Sequence, residues 1–321
     1  MSPQEVGRRA DQVLQQVGGA VVGNREPLTL TLAAVLAGGH VLLEDLPGLG
    51  KTLTARSFAQ ALGLDFTRAQ FTPDLLPADL TGAYVYDQSS GRFEFRSGPL
   101  FTGLLLADEI NRTPPKTQSA LLEAMAEKQV TVEGRTFELP RPFHVLATSN
   151  PVEYEGTYPL PEAQLDRFLV RLAFGYPTGD QEAEVLRRRL ARRQEEIALE
   201  PVTDAAGLLA MQRAVEAVPV SEEIAAYCVQ LAAATRTNNA VQVGASPRGS
   251  LALVLTARAY AVIAGRDYLL PEDVKAVAHA VLDHRIVLKP ELWMSDVTAQ
   301  RVVEAALSEV PVPAARADAD R

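Results

Sequence analysis

Residues 40–52 read HVLLEDLPGLGKT, and the next ten continue as LTARSFAQAL to residue 62. The apolar run that ends at Leu43 follows Gly38-Gly39 and has the length and continuity of a buried strand. Pro47, Gly48 and Gly50 make the following segment a turn, and Lys51 and Thr52 open a helical stretch. A strand, a glycine turn and a helix N-terminus in that order form a cradle for phosphate, because backbone N–H groups and the helix dipole both point at the ligand. In such a cradle Gly48 and Gly50 let the backbone curl, while Pro47, Leu49 and Leu53 complete the loop and first turn. Lys51 is expected to reach the β and γ phosphates of a nucleotide, and the Thr52 hydroxyl to ligate Mg2+. One position departs from the general pattern G-x-x-x-x-G-K-[ST]: its first glycine is Asp45 here. Aspartate lacks the conformational freedom of glycine and is expected to bring an acid close to the phosphates. A glycine-rich turn that only precedes a helix is the plainer alternative.

Outward from that stretch, FTRAQF (66–71), TGLLLADE from Thr102 and HVLATS (144–149) read as further strands separated by helical segments. This alternation predicts an α/β fold with a parallel sheet between helical layers. Two passages break the rhythm with period-two patterning and a turn signal, residues 83–100 and 129–143. Both read as inserted hairpins, with polar tips near Ser89–Gly91 and Glu133–Gly134 that protrude from the body. After a Pro- and Gly-rich passage (151–164), LDRFLVRLAFGYP brings the first domain to a close near Pro177. Helical segments follow at about 181–199, 206–217, 221–238, 247–264, 271–283 and 295–309, with no convincing strand, so residues 178–310 read as a small all-α domain. Ser246 and Pro247 supply an N-cap and a first-turn proline, which places Arg248 in the first turn of its helix. The tail at 311–321 has too little apolar content to pack and is expected to be disordered.

Three further groups carry chemistry. LLLADE is strongly apolar yet ends in Asp108 and Glu109, and two adjacent acids at the end of a buried strand are costly unless they serve a cleft. Asp108 suits a Mg2+ shell, and Glu109 suits the polarisation of a water for in-line attack on the γ-phosphate. Asn150 ends another buried strand in ATSNP, where its amide is placed to hold that water or to form a turn before Pro151. Arg167 follows a loop expected to face outward and Arg248 begins its helix; each is a candidate to meet phosphate or to make a routine salt bridge.

Composition narrows the classes. The 321 residues include 31 Lys and Arg against 40 Asp and Glu, a net charge of -9 with pI near 5.1, which opposes nonspecific nucleic-acid binding. The basic run RRRLARR (187–193) is flanked by acids and reads as a solvated helix face. No apolar run approaches the length of a membrane span, and the N-terminus reads as a helix capped by Ser2 with Pro3 and Glu5, which points to the cytoplasm. Cys228 is the one cysteine, in an apolar helical context that suits a buried structural thiol.

At these residues the chain resembles the MoxR group of AAA+ ATPases from VVGNRE (21–26) onward. EDLPGLGKT, the LLLADEINRTPPKTQSALLEAMAEKQVTVEG block, FHVLATSNPVEYEGTYPLPEAQLDRF and SPRGSLAL carry the likeness. The resemblance implies that Lys51 and Thr52 are Walker A residues, Asp108 and Glu109 the Walker B pair, Asn150 sensor 1, Arg167 the arginine finger and Arg248 sensor 2. It implies that the first hairpin is the helix-2 insert, the second the pre-sensor-1 hairpin, and the helical domain the lid. ATP and Mg2+ are the cofactors so implied. A hexameric ring and protein clients follow, with von Willebrand factor A domain proteins as co-workers. A nucleic-acid motor and a metal-chelatase motor subunit are the alternatives; few basic residues in the hairpins oppose the first, and four scattered histidines the second.

Overall fold

The computed structural model describes every residue except 24, 153–155, 195–196, 293–294 and 314–321. Most of the tail expected to be disordered, the flanking acids Glu195 and Glu196 and part of the Pro- and Gly-rich passage thus lie outside the described residues.

The chain opens with two helices, α1 (Pro3–Ala20) and α2 (Arg25–Leu36). Ser2 Oγ accepts the Glu5 N–H at 3.2 Å, the cap its spacing predicts. There follow β1 (Val41–Glu44), α3 (Lys51–Ala61), β2 (Phe66–Gln70), α4 (Pro77–Thr81), β3 (Gly82–Asp87), β4 (Arg92–Ser97) and β5 (Leu104–Asp108). Next come α5 (Pro115–Glu127), β6 (Gln129–Val132), β7 (Arg135–Glu138), β8 (His144–Ser149), α6 (Glu162–Leu165) and β9 (Val170–Leu172). Five strands form one parallel sheet in the order β2-β5-β8-β1-β9. Their side chains alternate between two cores. Leu43, Leu104, Leu106 and Leu146 enter one with α1–α3, whereas Leu42, Leu105, Ala107 and Val145 enter the other against Leu121, Leu122 and Met125 of α5. Burial on both faces is why these strands read as unbroken apolar runs.

Both inserted hairpins form, β3 with β4 and β6 with β7, each antiparallel. Glu133 and Gly134 both have positive φ, 48° and 78°, the geometry a two-residue turn between twisted strands requires. The hairpins do not protrude independently. Phe95 of the first stacks on Phe137 of the second with ring centroids 4.0 Å apart and planes 12° from parallel. Arg135 donates to the Tyr84 hydroxyl at 3.3 Å. On the first hairpin the Tyr84–Phe95 rungs are thus used at the base, while Tyr86 and Phe93, 53% and 69% exposed, continue the same aromatic face outward.

The remaining elements are α7 (Gly179–Arg192), α8 (Ala205–Glu216), α9 (Glu222–Thr237), β10 (Val241–Val243), α10 (Pro247–Ile263), α11 (Pro271–Leu282), β11 (Val287–Leu288) and α12 (Ala299–Glu309). The expectation of an all-α segment without strands is corrected here: β10 and β11 pair antiparallel across a register shift. Strands of three and two residues are too short for any period to register in the sequence. α7 stops at Arg192 rather than 199 because Arg193 turns left-handed, φ 58°. α12 starts at Ala299 rather than 295, behind the Thr298 cap.

One buried cluster unites α1, α2 and α3 with α8 to α12. At Gly7 a Cβ would lie 2.7 Å from the Val262 carbonyl oxygen, so α1 rests backbone to backbone on the end of α10. Cys228 is fully buried on α9, and burial pushes its thiol up to about 12, which fits a structural residue. In RRRLARR, Arg187 and Arg188 pair with Glu184. Arg188 also donates to the carbonyls of Gly18 and Gly19, so this run ties α7 to the end of α1 as well as facing solvent.

Candidate functional site

Register in the parallel sheet brings the C-terminal ends of its strands into one row. Gln70 lies beside Asp108 and Glu44 beside Ser149, with Ala107 and Ala147 paired between β5 and β8. The 45–50 loop and the N-terminus of α3 therefore sit at the same sheet edge as Asp108, Glu109 and Asn150. Such an edge is where ligands of open α/β sheets bind.

In the loop, Gly48 and Gly50 adopt φ of 81° and 79°, and a Cβ at either would meet only open space. Both glycines are therefore needed for conformation rather than for room. Lys51 Nζ donates to the Asp45 carbonyl at 2.5 Å, which folds the lysine back over the loop. Thr52 and Leu53 occupy the first turn of α3. Asp45 does not act as its motif position suggested. Its φ is not positive, and its carboxylate accepts the Leu46 N–H at 2.9 Å and, from the strand-end segment after β9, those of Phe174 and Gly175 at 2.6 and 2.9 Å. The acid is turned into the protein, 6% exposed, where it fastens the loop to the adjacent strand. Arg171 of β9 adds an ion pair to Glu44 at 3.0 Å.

The two acids after β5 are separately held. Asp108 Oδ1 accepts the Thr148 hydroxyl at 2.6 Å, and Oδ2 accepts Nε and Nη2 of Arg68 at 3.0 and 2.6 Å. Glu109 sits in the left-handed region, φ 59° and ψ 51°, an uncommon conformation for a residue with a side chain. Its N–H donates to Thr148 Oγ1 at 2.8 Å, and its Oε2 accepts Gln70 Nε2 at 2.8 Å and Arg112 Nη1 at 2.9 Å. Arg68, Gln70, Arg112 and Thr148 were missed by sequence reasoning. Only the polar pair Arg68 and Gln70, two apart on a strand predicted to lie in the sheet, offered a signal.

Asn150 is 5% exposed; its Oδ1 accepts the Val152 N–H at 3.1 Å and its carbonyl accepts Asn111 Nδ2 at 3.3 Å. The turn-forming use of this amide is therefore realised, in a position that also meets the sheet edge. Arg167 follows a loop whose described residues are mostly exposed, and is itself half-buried: Nη1 donates to the Leu122 carbonyl on α5 at 2.8 Å. Its neighbours are fixed by a further unforeseen residue. Arg285 is buried, with Nε on Asp166 Oδ1 at 2.7 Å and Nη2 on the Phe168 carbonyl at 2.8 Å, and Asp166 also accepts the Ser246 hydroxyl at 3.1 Å. Ser246 Oγ caps α10 by accepting the Arg248 N–H at 3.1 Å, and the Arg248 side chain is exposed. Thus the helical part is bonded to the α/β part on both sides of Arg167.

At the opposite end of the strands, His40 and His144 are buried and neutral. His40 Nδ1 accepts the Val145 N–H at 3.0 Å, and His144 Nε2 accepts Gln212 Nε2 at 3.0 Å. Burial, and for His40 the nearby His144, lowers them to about 3 and about 4. Among the described residues no group of three or more His, Cys, Asp or Glu is placed to hold a metal, and no helix is long and apolar enough to cross a membrane.

Residues 40–170 match the family model of the AAA ATPases, the ATPase family associated with various cellular activities, and residues 233–306 match that of the AAA lid domain. The chain is 49% identical over 306 residues to YeaC of Bacillus subtilis, an uncharacterized protein, across 95% of each chain. It is 40% identical over 312 residues to Chaperone MoxR1 of Mycobacterium tuberculosis, across 94% of this chain and 82% of that one. Protein MoxR of Methylorubrum extorquens is 33% identical over 338 residues, across 93% and 94%. A crystal structure of an ATPase candidate from Cytophaga hutchinsonii superposes with a TM-score of 0.91 at 40% identity, across 97% of both chains. With a five-stranded parallel sheet, a phosphate-type loop after β1 and relatives matched over 93–94% of its length, the chain belongs to the MoxR family of AAA+ ATPases.

Proposed function

We propose that this protein is a Mg-ATP-dependent, chaperone-like motor that remodels or matures partner proteins as it hydrolyses ATP to ADP and phosphate. The observation that carries the reading is the single row at the sheet edge, where the glycine cradle and Lys51 adjoin Asp108, Glu109 and Asn150. Pro47 to Leu53 would hold the phosphates by backbone N–H groups and the Lys51 ammonium. The donor set fits a magnesium ion: Thr52 offers a hydroxyl and Asp108 a nearly buried carboxylate that already faces a cationic group. When bound, the ion supplies charge compensation for the phosphates. Glu109 takes the proton of the attacking water, Asn150 orients that water through its amide, Arg167 serves the neighbouring subunit and Arg248 senses nucleotide from the lid.

The ring, read as a hexamer, agrees with surface left uncovered on one chain: Tyr176, Leu186 and Leu190 around α7 are 75%, 60% and 73% exposed. Residues up to 177 and 178–310 are read as the two moving parts, and the coupled hairpins as the surface that meets a protein client. The name of the Mycobacterium tuberculosis relative supports a chaperone role. A von Willebrand factor A domain protein is the co-worker the family suggests, and the acidic charge argues for protein over nucleic acid.

The test is a pair of variants. Lys51→Ala should lose tight binding of a fluorescent ATP analogue, while Glu109→Gln should bind it and release phosphate roughly a hundredfold more slowly or worse. Wild-type binding by the first or wild-type turnover by the second refutes the assignment of that residue.

A further inference from the structure

Asp108 is the residue proposed above to ligate magnesium, yet in this chain its Oδ2 is already taken. Arg68 Nε and Nη2 lie 3.0 and 2.6 Å from that oxygen. The same Nη2 donates to Gln70 Oε1 at 2.7 Å, and Gln70 Nε2 donates to Glu109 Oε2 at 2.8 Å. One amide is therefore oriented by the arginine on one side and holds the second acid on the other. Because β2 is an edge strand, Arg68 reaches the site from the rim, and its side chain is 48% exposed against 11% for Asp108. An arginine on a rim can swing into solvent at little steric cost, whereas the carboxylate, bonded also to Thr148, is fixed.

We infer that Arg68 is an internal placeholder for the metal: its guanidinium holds the Asp108 oxygen that a cation would take, so arginine and metal compete for this carboxylate. The inference rests on the reading of Asp108 as the metal ligand. Two cations that compete for one carboxylate oxygen bind antagonistically, so the arginine weakens the metal by the strength of its own pair. Its departure removes the partner of Gln70 Oε1 and so loosens the amide that restrains Glu109. The two acids are thereby linked through Arg68 and Gln70.

The measurement is the affinity of the full-length protein for a methylanthraniloyl-labelled ADP, taken in EDTA and at saturating Mg2+. The ratio of the two isolates the contribution of the metal. In Arg68→Gln that ratio should rise about tenfold over wild type, as expected for deleting one charge-assisted pair that is partly screened. Arg68→Lys, which keeps the charge without the two-point contact, should fall between. Thermal melting of each variant checks that the rim substitution leaves the fold in place. A ratio in Arg68→Gln equal to or below that of the wild type overturns the placeholder. Failure of the wild type to bind the probe at all would instead remove the nucleotide-site reading, and the inference with it.

Discussion

Gln70 Nε2 donates to Glu109 Oε2 at 2.8 Å from β2, the strand paired with the β5 that Glu109 follows, and with Arg112 it leaves that oxygen twice engaged. An oxygen so engaged is not free to meet a water. Gln70→Ala should therefore raise ATP turnover in the absence of any client, by up to about tenfold for the loss of one hydrogen bond to a charged group. Steady-state phosphate release measures it, and a lower rate would make Gln70 a residue that aims Glu109 rather than one that restrains it.

Arg167 is satisfied within its own subunit by the Leu122 carbonyl. If it acts across a ring boundary it must exchange that carbonyl for phosphate. Arg167→Ala should bind ATP normally but hydrolyse it roughly a hundredfold more slowly, as for the loss of one preorganised donor. Mixing with Lys51→Ala subunits should restore activity, because those subunits lend an intact arginine to neighbours whose loops still bind. Mixed rings without recovered activity would assign Arg167 a role confined to its own chain.

Asp45 predicts an inversion of the usual motif logic. Asp45→Gly restores the general phosphate-loop pattern but strips the Phe174 and Gly175 N–H groups of their acceptor. Unfolding in urea should show a loss of about 1–2 kcal/mol, the cost of partly exposed donors losing a charged acceptor. Asp45→Asn, which keeps an acceptor oxygen, should lose less. Equal stability of the glycine variant and the wild type would contradict the structural role.

The Phe95–Phe137 stack joins segments 42 residues apart in sequence. A double-mutant cycle with Phe95→Leu and Phe137→Leu should return a coupling of about 1 kcal/mol between the hairpins. Additive effects would mean that the two inserts are energetically independent.

His40 and His144 set a pH dependence. Both are lowered to about 3 and about 4 when folded, against an ordinary value of 6.5, so the unfolded chain takes up protons first as pH falls. Their contribution is level above pH 6.5 and turns against the fold between there and about pH 4, at roughly 1 kcal/mol per pH unit for each. Melting temperature from pH 7.5 to 5.5 should fall more steeply in wild type than in His144→Gln; parallel curves would show that carboxylates alone account for the slope.

Much of this architecture is legible in the sequence because its strongest signals are local. Buried strands such as Leu104–Asp108 announce themselves by composition, the glycine turn by its position between strand and helix, and Ser2 and Ser246 by cap chemistry. What escaped is relational. Arg68 and Gln70 matter only because parallel pairing sets β2 beside β5, and nothing in FTRAQF specifies that neighbour. Asp45 was misread because its partners lie 129 and 130 residues on. Arg285 was invisible for the same reason, its carboxylate being 119 residues away. The β10–β11 pair failed on length alone.

The sheet domain cannot be cut out along its family boundary. The AAA match begins at residue 40, yet Val6, Ala10, Val13 and Val17 of α1 share a core with α3, α8 and α10. A fragment of residues 40–170 would bare that apolar face to water and lose the Asp166 contacts to Ser246 and Arg285 as well. The first twenty residues behave as a strap over the seam between sheet and lid, and a shortened chain would be an aggregation hazard before it was an inactive enzyme.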